Sequence, residues 1–273
     1  MIPASFEYVE ASSADAAIAA LTEHGDEAKL LAGGHSLIPL MRFRLATPGV
    51  LVDIGRLADL SYINDGGDHV AIGALTRHRA LETSDLLGAE APLLRHVASQ
   101  VGDPQVRHRG TLGGSLAHGD PASDLPAALL AMGGSVVAKG PGGERVISAD
   151  DFFTGFLETA LGEDELLTEV RIPKAGGAGW SYQKFNRRAQ DWAIVGAAVQ
   201  LGANPGVALV NMSSAPMRST AVEAAIAGGS SAADAAAVAA DGTEPPVDLN
   251  GDVEYRSHLA RVLVERGITE ATS

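Results

Sequence analysis

Two glycine pairs, each followed closely by a serine, constrain this chain most. The first lies in Ala32-Gly33-Gly34-His35-Ser36-Leu37, and the second in Gly110-Thr111-Leu112-Gly113-Gly114-Ser115, which runs on through Ala117 to Asp124. Glycine admits positive φ and lets the backbone approach a ligand closely. Successive bare N–H groups in such turns form a concave anion site. Two such sites far apart in sequence can close on one large, doubly charged ligand, and a dinucleotide pyrophosphate meets that description. Neither loop fits the better-known nucleotide signatures. A Rossmann loop needs Gly-x-Gly-x-x-Gly opening a helix directly, with an acid about 20 residues on. Here no third glycine has that spacing, and Ile38-Pro39 is expected to interrupt any immediate helix. No Gly-Lys-Ser/Thr follows either, so a Walker loop is excluded. One pair alone is as readily a tight turn. The second pair shifts the balance toward a long ligand lying between two units.

Composition narrows the ligand's role. With 273 residues, 46% of them apolar, the chain can bury a core and is expected to form two or three compact units. The formal charge of −14 argues against nucleic acid, whose phosphates demand Lys and Arg, and gives no support for an anionic membrane. No apolar run approaches the roughly 20 residues that span a bilayer. The start, Met1-Ile2-Pro3-Ala4-Ser5-Phe6-Glu7, has neither the basic nor the apolar region of a secretory signal. A cytoplasmic location is expected, with any membrane association peripheral and through partners. There is no cysteine. That excludes disulfides, a thiol nucleophile, thiolate-bound zinc and a Cys-ligated iron–sulfur cluster within this chain. A redox role therefore needs an organic cofactor or a centre on another subunit. The eight histidines are scattered, with no His-x-x-x-His pair on a convincing helix, and no metal site is expected.

The apolar pattern divides the chain into three. Residues 1–55 read as a βαβ unit: a helix from Ser12 to His24 with Ser12 and Asp15 at capping-box spacing, a strand at Lys29–Ala32 and another at Val50–Ile54. Residues 56–175 form a second unit. It holds a strand at His69–Gly73, a helix capped by Thr76, a helix over Pro92–Val101, a helix from Asp124 to Met132, a hairpin around Gly140-Pro141-Gly142-Gly143, and a strand over Leu166–Ile172. Ala175–Gly179 is a linker. Residues 178–273 read as a small antiparallel sheet (Trp180–Phe185, Ile194–Leu201, Val207–Met212) with helices at Thr220–Ala227, Ala232–Ala240 and Tyr255–Arg266, the last ended by Gly267. The expected class is α+β.

Two stretches carry a family resemblance. Ala32 to Leu37 resembles the FAD pyrophosphate loop of the medium, flavoprotein subunit of molybdenum hydroxylases. Asp103-Pro104-Gln105-Val106-Arg107, through Thr111–Ser115, to Asp120-Pro121-Ala122-Ser123-Asp124-Leu125-Pro126 is similar to that family's second signature. Within the family the likeness is to the medium subunits of aerobic carbon monoxide dehydrogenases, and it extends over nearly the whole chain. The resemblance implies a vanillyl-alcohol-oxidase (PCMH-type) FAD fold of two α/β subdomains followed by a small C-terminal domain. It implies that the N–H groups of Gly33–Ser36 and Thr111–Ser115 hold the pyrophosphate of a non-covalent FAD, with hydroxyls from Ser36 and Ser115. Val101 and Val106 would face the adenine, and Asp124 would accept from ribose or ribityl hydroxyls, with a rival role as helix N-cap. Leu166 would line the isoalloxazine pocket or simply fill the core. The segment Tyr182–Ala193 resembles one that reaches back over the flavin. There Lys184 would bring positive charge to the pyrimidine end and Trp192 would shield a ring face; the plainer reading is an Arg188–Asp191 surface turn with Trp192 in the core. His35 would sit near the phosphates, covalent attachment being the alternative.

The family also implies partners: a large subunit with the molybdenum cofactor and a small one with 2Fe-2S clusters, as a dimer of heterotrimers (a heterohexamer). Electrons pass to FAD here and on to an acceptor such as quinone. No residue of this chain is expected to act as catalytic acid, base or nucleophile. Carbon monoxide is the first substrate reading, with purines, aldehydes and aromatic heterocycles open. A self-contained small flavin reductase or oxidase and a cofactor-free scaffold are the alternatives.

Overall fold

The computed structural model describes residues 2–273. Its N-terminal part runs β1 (Glu7–Glu10), α1 (Ala14–His24), β2 (Ala28–Leu31), α2 (Leu37–Phe43) and β3 (Val50–Asp53). The three strands are parallel in the order β1-β3-β2. β1, Glu-Tyr-Val-Glu, carries no apolar run and leaves Glu7, Tyr8 and Glu10 exposed, so no periodicity announces it. α1 buries Ala17, Ile18, Ala20 and Leu21 against Val50 and Val52. Its cap is Ser13, whose hydroxyl accepts from the Ala16 N–H, so the expected Ser12–Asp15 box is replaced by a cap one residue later. α2 corrects a second expectation. It opens directly from the first glycine loop and runs through Pro39. Proline is tolerated there because first-turn N–H groups have no intrahelical partner to lose.

The next part holds β4 (Ile63–Asp65), β5 (His69–Gly73), α3 (His78–Thr83), α4 (Asp85–Glu90), α5 (Pro92–Gln100), α6 (Pro104–Arg109), α7 (Leu112–His118) and α8 (Asp124–Ala131). Then follow β6 (Ser135–Gly140), β7 (Gly143–Ser148), α9 (Ala149–Phe152), a short hairpin of β8 (Phe153–Gly155) and β9 (Glu158–Thr159), and β10 (Leu166–Pro173). An antiparallel sheet is ordered β4-β5-β10-β6-β7. A bulge between Leu167 and Glu169 resets the facing of β10. Leu166 thereby joins the N-terminal core, while Leu167, Val170 and Ile172 join the larger one. Thr76 does not cap α3. That helix begins at His78, and the Thr76 hydroxyl donates to the Tyr62 carbonyl and accepts from its N–H instead.

The C-terminal part has β11 (Trp180–Phe185), β12 (Val195–Gln200), β13 (Gly206–Val210) and β14 (Met217–Arg218), antiparallel in that order, then α10 (Thr220–Ala227), α11 (Ala232–Ala237) and α12 (Val253–Ala271). β12 is buried along its length because both faces are covered. Ala198, Ala208 and Val210 meet the core built around α8, and Val199, Val207 and Leu209 join the separate core built with α10, α11 and α12. α11 stops short of Ala240. α12 passes straight through Gly267, which is not the stop expected; a Cβ there would come 3.0 Å from Val199 Cγ2, so the glycine lets the helix lie close on the sheet. Among the described residues no helix is long and apolar enough to cross a membrane.

Candidate cofactor site

The two glycine loops meet. A Cβ on Gly33 would collide with the Arg109 carbonyl, and the two segments can touch only because that Cβ is missing. Between them lies a cavity of about 810 Å³, walled by all three parts of the chain. Cofactor and ligand sites occupy about 300–1,000 Å³. Every candidate singled out from the sequence lines this one cavity: Ala32 to Leu37, Val101, Val106, Gly110, Thr111, Gly113 to Ser115, Ala117, Asp124, Leu166, Lys184 and Trp192.

The first loop presents a row of free backbone donors to the cavity. Gly34 adopts φ +78°, which a side chain disfavours. The N–H groups of Gly33, Gly34, His35, Ser36 and Leu37 have no acceptor among the described residues; the first N–H to find one is that of Ile38, on the Gly34 carbonyl at 3.0 Å. His35 is exposed on this loop.

The second loop works differently from the expectation of a second row of free donors. Leu112 N–H donates to Thr76 O, Gly113 N–H to Ala74 O, Gly114 N–H to the Thr111 hydroxyl and Ser115 N–H to Thr111 O. Thr111 thus caps α7, and Gly113 is small because Ala74 lies against it. The donors left to a ligand are the Thr111 N–H and the hydroxyls of Thr111 and Ser115.

At the far end, Asp124 is not an N-cap. Ser123 precedes α8, and the Asp124 carboxylate reaches β11, where it accepts from the Tyr182 hydroxyl and from Lys184 Nζ at 2.8 Å. Burial raises the Asp124 carboxyl above its usual range, against the pull of Lys184 and Tyr182. Lys184 also donates to the Gln100 carbonyl at 3.1 Å, so its charge is anchored rather than free. Trp192 is 59% exposed at the cavity rim, which rules out the core reading, and the Arg188–Asp191 turn beside it forms the expected ion pair at 3.0 Å.

Sequence reasoning missed His78, Arg77 and the β8–β9 wall. Arg77 reaches the Arg109 carbonyl. His78 donates its N–H to Gly110 O at 3.0 Å, and its ring contacts Thr111 and Ser115. Nothing in Thr76-Arg77-His78 announces this; only the pairing of that segment with the second loop reveals it. Leu157 in the turn of that hairpin and Glu158 and Thr159 of β9, a strand too short to be read as such, also line the cavity.

A row of free backbone donors, a cofactor-sized cleft and apolar walls around Leu166 suit a dinucleotide-binding protein. Residues 4–175 match the FAD binding domain in molybdopterin dehydrogenase, and the chain belongs to that family. Residues 180–271 match the CO dehydrogenase flavoprotein C-terminal domain. The chain is similar to the carbon monoxide dehydrogenase medium chain of Hydrogenophaga pseudoflava, at 40% identity over 99% of this chain and 98% of that one. Among solved structures it superposes on carbon monoxide dehydrogenase from Hydrogenophaga pseudoflava lacking the Mo-pyranopterin moiety, with TM-score 0.96, 41% identity and coverage of 100% and 99%. It also matches quinoline 2-oxidoreductase from Pseudomonas putida 86, with TM-score 0.91, 30% identity and coverage of 99% and 98%. The chain is an FAD-dependent oxidoreductase subunit.

Proposed function

We propose that this chain carries electrons between partner iron–sulfur clusters and an external acceptor, as the FAD subunit of a molybdenum-containing dehydrogenase that oxidises carbon monoxide. The observation that carries the reading is the end-to-end likeness to a carbon monoxide dehydrogenase medium chain, supported by a cleft of cofactor size walled by both glycine loops. Bound FAD supplies a centre that takes up and gives out electrons. The first loop's free N–H groups and the Ser36 and Ser115 hydroxyls hold its diphosphate. Val101 and Val106 flank the adenine end, Leu166 the ring end, and Trp192 covers the rim. Lys184 acts as a paired charge through Asp124. With no cysteine in this chain, 2Fe-2S clusters belong to a small partner and the molybdenum cofactor to a large one, assembled as a dimer of heterotrimers, with a quinone as acceptor.

Purification of the native protein tests this. The expected result is two co-purifying subunits, iron–sulfur absorbance, flavin released into the supernatant on acid precipitation, and bleaching of the flavin band by carbon monoxide without oxygen. A flavoprotein that purifies alone and turns over its own substrate overturns the subunit reading. Bleaching by a heterocycle or aldehyde but not by carbon monoxide overturns only the substrate. Flavin left in the acid pellet makes His35 a covalent anchor.

A further inference from the structure

We infer that His78 is a positioning residue for the cofactor: its ring sets the Ser115 hydroxyl as a donor toward the phosphates between the two loops. The inference rests on the FAD site proposed above. His78 is buried at the start of α3. Its Nε2 lies 3.0 Å from the Thr111 carbonyl oxygen and 3.0 Å from Ser115 Oγ. A carbonyl oxygen only accepts, so Nε2 carries the proton and Nδ1 is bare. Nδ1 has no hydrogen-bond partner among the described residues. It faces Gly110, where a Cβ would come within 2.9 Å of it, so the glycine makes room for the ring. Burial holds the imidazole down to about 4, and the ring is neutral at physiological pH.

The consequence falls on Ser115. Its oxygen receives the Nε2–H, so its own O–H must seek an acceptor elsewhere. The described residues offer none, and Ser115 lines the cavity. A phosphate oxygen there completes the chain from His78 through Ser115 to the ligand. Residues 77 and 78 do a second thing for the same loop. They occupy the carbonyls of Arg109, Gly110 and Thr111, whose lone pairs would otherwise compete with an anion for nearby donors.

The test is flavin affinity of the full chain, stripped of FAD and titrated with FAD and with riboflavin, which lacks phosphate. Ser115→Ala and His78→Phe are each expected to raise the Kd for FAD about tenfold, the scale of one hydrogen bond to a charged group. The double variant should be no weaker than the weaker single one, and riboflavin affinity should not move. Unchanged FAD affinity in Ser115→Ala overturns both this inference and the placement of the phosphates on the second loop. A loss in Ser115→Ala to which His78→Phe adds independently overturns the role of His78 alone. Nitrogen-15 NMR of the histidine-labelled wild-type holoprotein is a check that needs no variant. It should show a neutral Nε2–H tautomer at His78, and an Nδ1–H tautomer or an imidazolium overturns the inference.

Discussion

Burial without a charged partner makes His78 a source of acid sensitivity. In the unfolded chain its pKa is about 6.5, whereas in the fold it is held down to about 4. Between those values the unfolded chain binds a proton that the folded chain refuses, so stability falls as pH drops through that window. The loss is about 3 kcal/mol in full and levels off once the folded state also protonates. Melting curves of wild type and His78→Gln between pH 7.5 and 4.5 should show the wild type losing the more stability. Parallel curves would mean the ring titrates normally. This residue also shows where reading from sequence stops. Gly33, Gly34, Gly113 and Gly114 were legible because glycine pairs beside serine are informative by themselves. His78 was not, because its meaning comes from a carbonyl and a hydroxyl more than thirty positions away.

Elements with a regular apolar pattern were legible to within a residue or two, as with β5, β11 and α10. Those missed include β1, β4, α4, α6 and the β8–β9 hairpin, which are short and keep at most one side chain buried, so their form comes from tertiary pairing rather than from periodicity. Asp124 and Lys184 show the same limit at a contact between elements. Read singly, Asp124 was a helix cap or a ribose acceptor and Lys184 a cation for the flavin. Together they form an ion pair between α8 and β11 with both side chains 8% exposed. Removing one partner leaves the other buried and uncompensated. Lys184→Met should therefore cost about 3–5 kcal/mol. Asp124→Asn combined with Lys184→Met should cost much less than the two single losses added. Urea unfolding of the four proteins measures the coupling, and additive losses would show that the pair is not held as described.

Across the whole molecule, the cavity takes its walls from all three parts of the chain. Cofactor binding should therefore stabilise the chain as one body. At free FAD near one hundred times its Kd the gain is about 2.7 kcal/mol. For a chain of this length that is a rise in Tm of very roughly 5–10 °C. Calorimetry with increasing FAD should show one transition moving upward. A second transition that stays put would assign the C-terminal sheet to a unit that does not share the ligand.

The place of β10 has a consequence for how such a chain is made. The last strand of its sheet in sequence lies in the middle of it, between β5 and β6. Until the ribosome has released residues past Pro173, both neighbours wait with open edges, the state in which strands find the wrong company. Leu166 and Leu167, at the start of that strand, close the core on either side of the cavity. A nascent chain that carries both glycine loops but stops short of β10 therefore lacks Leu166 and Leu167, two of the residues that wall the cavity.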